Sequence, residues 1–478
     1  MAEAPVIVWF RRDLRLSDNP ALNRAAESGK PVIALYIMES GLERPLGGAS
    51  RWWLHHSLTD LSKRLSRLEC PLIVRAGRAD DEIETLIGET GADHIVWNRR
   101  YAKDGRDRDA RIKSRLKSKN ITAESFRANL LSEPWEIETK SGSGYYKVFT
   151  PYWRAARQAF DIADPIKAPA RLRSYGQSCA GGAALSTESI QSLGLLPSAP
   201  DWAAKMAPHW TVGERGAHAA LSAFLDGPVN EYPEERNRPD HRGTSRLSAH
   251  LAFGEISPRQ IWHHCKANAQ AAQKFLSEIG WREFSYVLLF HNPDLATQNF
   301  KADFDAFEWT NNPKALRAWQ RGQTGYPFVD AGMRELWQTG WQHNRVRMVT
   351  ASFLIKHLLI DWREGEQWFH DTLVDFDPAS NAAGWQWVAG SGADASPYFR
   401  IFNPFTQGEK FDPNGDYVRR YIPELARLPN KYIHRPWDAP KDILKAAGVV
   451  LGHSYPAPIV DHKSAREKAL SAYKRTRG

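Results

Sequence analysis

Cysteine is scarce in this chain: Cys70, Cys179 and Cys265 are the only three among 478 residues, and they lie far apart. An odd, dispersed set forms no disulfide framework and no C-x-x-C metal pair, which points to a reducing compartment. No run of about 18 apolar residues occurs, so no transmembrane helix is expected. The chain enters the strand-like run at residues 6–10 at once, without a signal-peptide core. Four catalytic or nucleotide-binding signatures are also missing. There is no G-x-G-x-x-G after a strand, no G-x-x-x-x-G-K-[ST], no H-E-x-x-H and no G-x-S-x-G. The Gly142-Ser-Gly144 and Gly390-Ser-Gly392 pairs read as loops. Together these absences argue against dinucleotide binding in the first domain, P-loop chemistry, zinc proteolysis and serine hydrolysis.

What is present is positive charge and tryptophan. The formal net charge is +9, which favours an anionic partner, nucleic acid first, against the plainer reading of an ordinary basic enzyme. Of the 19 tryptophans, twelve lie at or after Trp210. Tryptophan fills cores, and it also stacks on flat ligands and bases. The skew marks the C-terminal half as the place to look for chemistry.

Two kinds of periodicity divide the chain. Residues 6–10, 31–38, 71–76 and 94–98 are short apolar runs that read as buried parallel strands. Segments 20–28, 52–68 and 82–90 between them read as helices. This βαβ alternation predicts a doubly wound α/β domain over residues 1–130. Residues 131–213 shift toward Ala, Ser, Gly and Pro and read as a long surface connector. From residue 214 to 478 helical periodicity dominates, clearest at 260–265, 274–290, 313–320, 331–338, 345–359 and 364–373.

Several polar constellations stand out in the helical part. Glu278, Trp281 and Arg282 fall at i, i+3 and i+4, on one helix face. They make either a salt bridge beside a packed indole or the wall of a pocket for a planar ligand. Asn344, Arg347 and Met348 repeat the spacing, with Arg345 turned away. Asp375 and Asp377 lie in a turn-like stretch ending at Asn381; one of them can pair with Arg347, and a metal lacks a third ligand. Trp385 and Trp387 either face opposite ways on an extended segment or line a helix start. Gly243-Thr-Ser-Arg-Leu-Ser248 is either a plain N-cap or a seat for phosphate oxygens.

Taken together these residues resemble the photolyase/cryptochrome family, over nearly the whole chain. The segment Trp9-Phe-Arg-Arg-Asp-Leu-Arg-Leu-Ser-Asp-Asn-Pro20 is similar to its N-terminal signature. Gly243-Thr-Ser-Arg-Leu-Ser248, Thr324-Gly-Tyr-Pro-Phe-Val-Asp-Ala331, Gly340-Trp-Gln-His-Asn-Arg345 and Asp394-Ala-Ser-Pro-Tyr-Phe-Arg-Ile-Phe-Asn-Pro404 are similar to its flavin-domain signatures.

The resemblance implies a Rossmann-like antenna domain, a connector, and a larger all-α domain that binds FAD. It implies that Tyr232, Thr244, Ser245, Arg246, Leu247 and Ser248 hold the phosphates and ribityl chain. Arg347 pairs with Asp375 beside the flavin ring, Asp377 binds nearby, and Asn381 faces flavin N5. An arginine there favours the anionic reduced flavin. The implied reaction is light-driven repair of cyclobutane pyrimidine dimers: excited reduced FAD passes an electron to a flipped-out dimer, whose ring splits, and the electron returns. Trp281 and Trp387 would stack on the dimer, Glu278 and Asn344 would bond its base edges, and Met348 would pack beneath. Arg236, Arg282, Arg345, Arg400 and Gln407 would meet flanking DNA. Trp385, Trp362 and Trp309 would carry electrons to oxidised flavin.

Enzymes of the family that repair (6-4) photoproducts place histidines where Asn344 and Met348 stand, and iron–sulfur relatives need four cysteines. Cryptochrome signalling is the other alternative; Asn381 and the absence of a long tail after Pro458-Ile-Val-Asp-His-Lys463 speak for repair. Segment Trp97-Asn-Arg-Arg-Tyr-Ala-Lys-Asp-Gly-Arg106 lies where relatives bind an antenna. Methenyltetrahydrofolate is expected, with 8-hydroxy-5-deazaflavin or FMN as alternatives, since Gly105 replaces a glutamate of one folate-binding branch. UV-damaged DNA, double- or single-stranded, is the expected partner of a monomer in the bacterial cytoplasm.

Overall fold

The computed structural model describes residues 3–139, 142, 144–178, 185–266, 269–394 and 399–476. Cys179, Ser143, the small-residue run 180–184 and positions 395–398 of the last flavin-domain signature lie outside them.

The first 126 residues build one parallel sheet of five strands. These are β1 (Val6–Phe10), β2 (Val32–Glu39), β3 (Leu72–Gly77), β4 (His94–Asn98) and β5 (Thr122–Phe126), in the order β3-β2-β1-β4-β5. Val6 is in register with both Val32 and His94. The apolar runs mark β1 to β4 because both sheet faces are covered; β1 and β4 are buried at every position. Trp9 and Trp97, neighbours in that register, meet edge to face at 5.8 Å. β5 escapes the pattern: Thr-Ala-Glu-Ser-Phe is an edge strand, half open and without an apolar run. Helices Pro20–Glu27, Gly48–Arg67, Ala79–Thr90 and Lys103–Ser118 link the strands. The first starts at Asn19, whose side chain accepts from Leu22 N, with Pro20 opening the helix.

Two compact units make up the chain, and they do not follow the limits expected from sequence. Unit one comprises 1–146, 150–223 and 246–293; unit two comprises 147–149, 224–245 and 294–478. Segment 246–293 joins the sheet unit through specific bonds. Glu255 accepts from Trp53 Nε1 at 2.9 Å, and Arg15 donates to Gly254 O at 2.9 Å. Gly254 has φ +64, and a Cβ there would lie 2.1 Å from Arg12 O. The connector is also more integrated than expected. It includes helix Phe149–Ala159, and Arg173, Ser174 and Thr187 bond to the backbone of β2 and β3.

Unit two is helical around one large apolar cluster. Its helices Pro313–Gln320, Pro327–Thr339, Asn344–Ser352, Trp362–Thr372 and Pro378–Ala389 match the expected run closely. The predicted helix over 345–359 differs: the α-helix stops at Ser352 and widens into a π turn, Phe353–His357. Leu359 then takes φ +53, which ends the run. Gly390 caps helix Pro378–Ala389 with φ +100, rather than sitting in a loose loop.

Candidate flavin and DNA-repair site

In unit two the site is built on the start of helix Asn344–Ser352. Asn344 is exposed and Arg347 and Met348 half-buried, so the expected face does look outward. The Arg347 guanidinium is fixed from two sides: Nε donates to Gln342 O and a terminal nitrogen to Asp375 Oδ2, both at 2.7 Å. Asp375 is buried, and its Oδ1 finds no hydrogen-bond partner. Asp377 caps helix Pro378–Ala389, accepting from Ala379 N and Ser380 N. Asn381 donates its amide to the backbone carbonyl of Glu366 at 3.1 Å and to Glu366 Oε1 at 2.8 Å.

Helix geometry resolves the paired tryptophans. Two residues apart on a helix point about 200° apart. Trp385 is therefore buried, edge-on to Trp319 and Phe369, while Trp387 is half-buried on another face. Trp362 is fully buried, with Nε1 on Asn299 Oδ1 at 3.0 Å; Trp309 is partly exposed and packs against the same cluster. Burial thus falls along the order Trp385, Trp362, Trp309.

Tyr232 is buried and packs edge-on against Phe224, with Arg236 5.6 Å from its ring. Thr244 and Ser245 are half-buried. Arg345 donates to Asn237 Oδ1 at 2.6 Å and lies 4.5 Å from the Phe411 ring. Burial, and then the neighbouring Arg236 and Arg400, lowers its pKa. Three guanidiniums so close create a field that an anion would relieve. Arg400 is exposed; Gln407, on helix Pro404–Phe411, has a buried Oε1 without a partner.

The residues expected in unit one sit on two elements. Helix Gln273–His291 carries Glu278, Trp281 and Arg282 on one face. Glu278 pairs with Lys274 at 3.2 Å, Trp281 meets Phe284 edge to face, and Arg282 donates to Asn129 O at 2.7 Å. Arg246 adopts φ +54 with its guanidinium 4.3 Å from the Trp210 ring; Leu247 is buried and Ser248, exposed, opens the short helix Ser248–Phe253. At the C-terminal ends of β1 and β4, where the strand order reverses, polar groups bond one another. Asn98 donates to Asp13 and Asn19, Arg11 to Asp109. Arg106 of the antenna segment lies 4.2 Å from the Phe290 ring.

Two residues escaped the sequence reading. His343 caps helix Asn344–Ser352 by accepting from Arg345 N at Nδ1, so its proton sits on Nε2, a buried atom with no partner. Burial, together with Arg345, Arg347 and Arg236, pushes its pKa down to about 3, so it is neutral. Glu366 is a buried acid that aims Asn381. An acidic residue on the apolar face of an amphipathic helix was the signal available for it. Among the described residues, no cluster of His, Cys, Asp or Glu could hold a metal, and no helix is long and apolar enough to cross a membrane.

A family model described as the FAD binding domain of DNA photolyase matches residues 275–475, and one described as DNA photolyase matches 6–170. The chain is 55% identical to a deoxyribodipyrimidine photo-lyase of Agrobacterium fabrum, over 98% of each chain. It is 40% identical to cryptochrome-1 of Arabidopsis thaliana, over 98% of this chain and 70% of the relative. The crystal structure of a bacterial class III photolyase from Agrobacterium tumefaciens superposes with a TM-score of 0.96 at 54% identity, covering 100% of this chain and 98% of that one. The chain belongs to the photolyase/cryptochrome family, and its sheet and helical cluster are that family's fold. Its C-terminal half is the family's FAD-binding domain.

The residues of unit two fit a flavin. Asp375 Oδ1 and His343 Nε2 are buried polar atoms still lacking partners. Asn381, its amide hydrogens engaged by Glu366, presents an oxygen acceptor, which suits the N5–H donor of a reduced flavin better than an oxidised ring's lone pair.

Proposed function

We propose that the protein repairs cyclobutane pyrimidine dimers in DNA by light-driven electron transfer, as a class III-like photolyase. The observation that carries this reading is the Arg347–Asp375 pair at 2.7 Å, on the same helix start that exposes Asn344 and brings Met348 beside it. Reduced FAD, when bound, supplies the photoexcited electron and takes it back. The rest of the task belongs to side chains. Arg347, held by Asp375 and Gln342 O, keeps a fixed positive charge that favours an anionic ring. Asn381 accepts at N5, aimed by Glu366. Tyr232, Thr244, Ser245 and Asp377 hold the remainder of the cofactor in this unit, and Arg246, Leu247 and Ser248 keep the roles expected of them.

Toward the lesion, Asn344 donates to a base edge and Met348 packs beneath it, with Trp281 and Trp387 as stacking surfaces and Glu278 as a second polar contact. Neither position 344 nor 348 offers a histidine to donate a proton, which favours the cyclobutane lesion over the (6-4) photoproduct. Arg236, Arg282, Arg345, Arg400 and Gln407 serve the DNA backbone. Trp385, Trp362 and Trp309 restore the reduced cofactor. Replacing Trp385 by Phe should slow photoreduction of the oxidised protein and spare repair by pre-reduced protein; equal photoreduction in both proteins would remove Trp385 from that role. A second chromophore, methenyltetrahydrofolate, is proposed for unit one, and mass spectrometry of the released ligand separates it from a deazaflavin or FMN. The protein is taken to act as a monomer on DNA in the bacterial cytoplasm.

The deciding experiment is repair of a thymine-dimer oligonucleotide by the reduced protein under near-UV to blue light, with a dark control and a (6-4) oligonucleotide in parallel. Light-dependent recovery of unmodified thymines from the first substrate alone is expected. Bound FAD without repair of either lesion would move the function to cryptochrome signalling.

A further inference from the structure

An aromatic assembly at the end of unit two goes beyond what the proposed roles require. Phe304, Phe307 and Phe399 form a buried cluster closed by Ala469 and Ala472 of helix His462–Arg475. Two oxidisable rings, both half-buried, pack against it: Trp309 and Tyr473. Trp309 lies 4.4 Å from Phe307, centroid to centroid. From Phe307 the rings of Phe399 and Phe304 are 6.1 and 6.3 Å away. Tyr473 stacks on Phe399 at 4.4 Å with only 6° between planes, and meets Phe304 at 6.0 Å. Two paths of adjoining rings therefore join Tyr473 to Trp309, through Phe307 and then either Phe399 or Phe304.

We infer that Tyr473 is the terminal electron donor to Trp309 after Trp309 has been oxidised by the tryptophan chain. The inference rests on the role given above to Trp385, Trp362 and Trp309. The step is one electron and one proton. The Trp309 indole radical cation takes an electron from Tyr473 and returns to neutral tryptophan. The Tyr473 phenol releases its proton to water and becomes a neutral tyrosyl radical. The phenylalanines are too hard to oxidise to hold the charge, so they act as the medium between the two rings. Of these five aromatic residues, Tyr473 alone carries an acidic O–H, and its partial exposure gives that proton a way out. Moving the hole onto Tyr473 takes it further from the cofactor and slows its return. Packing alone does not call for tyrosine here, since stacking on Phe399 needs only the ring.

The test is a laser flash on the oxidised, FAD-loaded protein, followed by time-resolved absorption and electron paramagnetic resonance, in wild type, Tyr473→Phe and Trp309→Phe. In wild type a tyrosyl radical should grow in as the tryptophan radical decays. Tyr473→Phe keeps the stacked ring, so FAD content and thermal midpoint should stay unchanged. The tyrosyl signal should be lost, and the tryptophan radical should live severalfold longer. An unchanged tryptophan-radical lifetime in Tyr473→Phe, or an undiminished tyrosyl signal, overturns the inference. Trp309→Phe separates the two levels of the argument. Wild-type radical behaviour in that variant sinks the tryptophan chain and the inference with it. Loss of the long-lived radical there, with Tyr473→Phe unchanged, sinks only the role of Tyr473.

Discussion

Glu283 and Trp281 sit two residues apart on helix Gln273–His291 and illustrate what one side chain controls. Glu283 is fully buried; one oxygen accepts from Leu131 N at 2.8 Å and Ser132 N at 3.3 Å, and the other has no hydrogen-bond partner. Burial pushes its pKa up from 4.5 to about 7, against the pull of Arg282 and the two backbone donors. The native state thus keeps a proton that the unfolded chain has already released. Its stabilising contribution is complete below the unfolded pKa and disappears as pH rises through the folded one. Glu283→Gln, which keeps an oxygen acceptor and cannot ionise, should gain stability relative to wild type as pH rises from about 5 to about 8. Parallel denaturation midpoints across that range would refute the burial argument. Trp281 belongs to recognition instead. Trp281→Ala should weaken binding to dimer-containing DNA by about 1–3 kcal/mol, one stacking contact, and leave FAD content intact. Flavin loss with unchanged lesion affinity would reverse that assignment.

Among elements, the contact between helices Trp362–Thr372 and Pro378–Ala389 matters most for the tryptophan chain. Gly365 is the reason they pack so closely: a Cβ there would lie 2.1 Å from Trp385 Cη2 and 2.7 Å from Leu354 Cδ2. Gly365→Ala should cost about 1–3 kcal/mol by overpacking, and should slow photoreduction as Trp385 is displaced. A denaturation midpoint equal to wild type would show that the indole can yield at no cost. The π turn Phe353–His357 is the second element with a consequence. It buries Lys356, whose Nζ donates to Arg400 O at 2.7 Å and lies 4.1 Å from the Phe399 ring. Burial pushes the Lys356 pKa down to about 7. A buried amine thus holds the backbone of the exposed Arg400, and an uninterrupted α-helix would have turned that side chain elsewhere.

At the scale of the whole molecule, charge sets the encounter with DNA. The net +9 favours any polyanion, and the grouping of Arg236, Arg345 and Arg400 concentrates it in unit two. Each arginine that neutralises a phosphate adds about 0.9 to the slope of log affinity against log salt on duplex DNA. Arg400→Ala should therefore weaken binding to damaged and undamaged duplex alike and flatten that slope by about 0.9. An unchanged slope in titrations of binding against salt would take Arg400 out of the phosphate contacts.

The alternation of buried strands with amphipathic helices, the helical second half and the family signatures are all legible in the chain, because each is written in residues near one another in sequence. So are the shared faces of Glu278, Trp281 and Arg282 and of Asn344, Arg347 and Met348, since helical periodicity alone creates them. Strand β5 was not legible, because an edge strand needs no apolar run. Nor was the attachment of 246–293 to the sheet unit, which depends on bonds from Trp53 and Arg15 across long stretches of chain. The same holds for Asn381, whose amide is turned by Glu366, fifteen residues earlier. The path from Trp309 to Tyr473 joins segments about 160 residues apart, and no local pattern connects them. Local periodicity determined which side chains share an element; only tertiary packing decided which of them meet, because burial and hydrogen-bond pairing bring together residues distant in sequence.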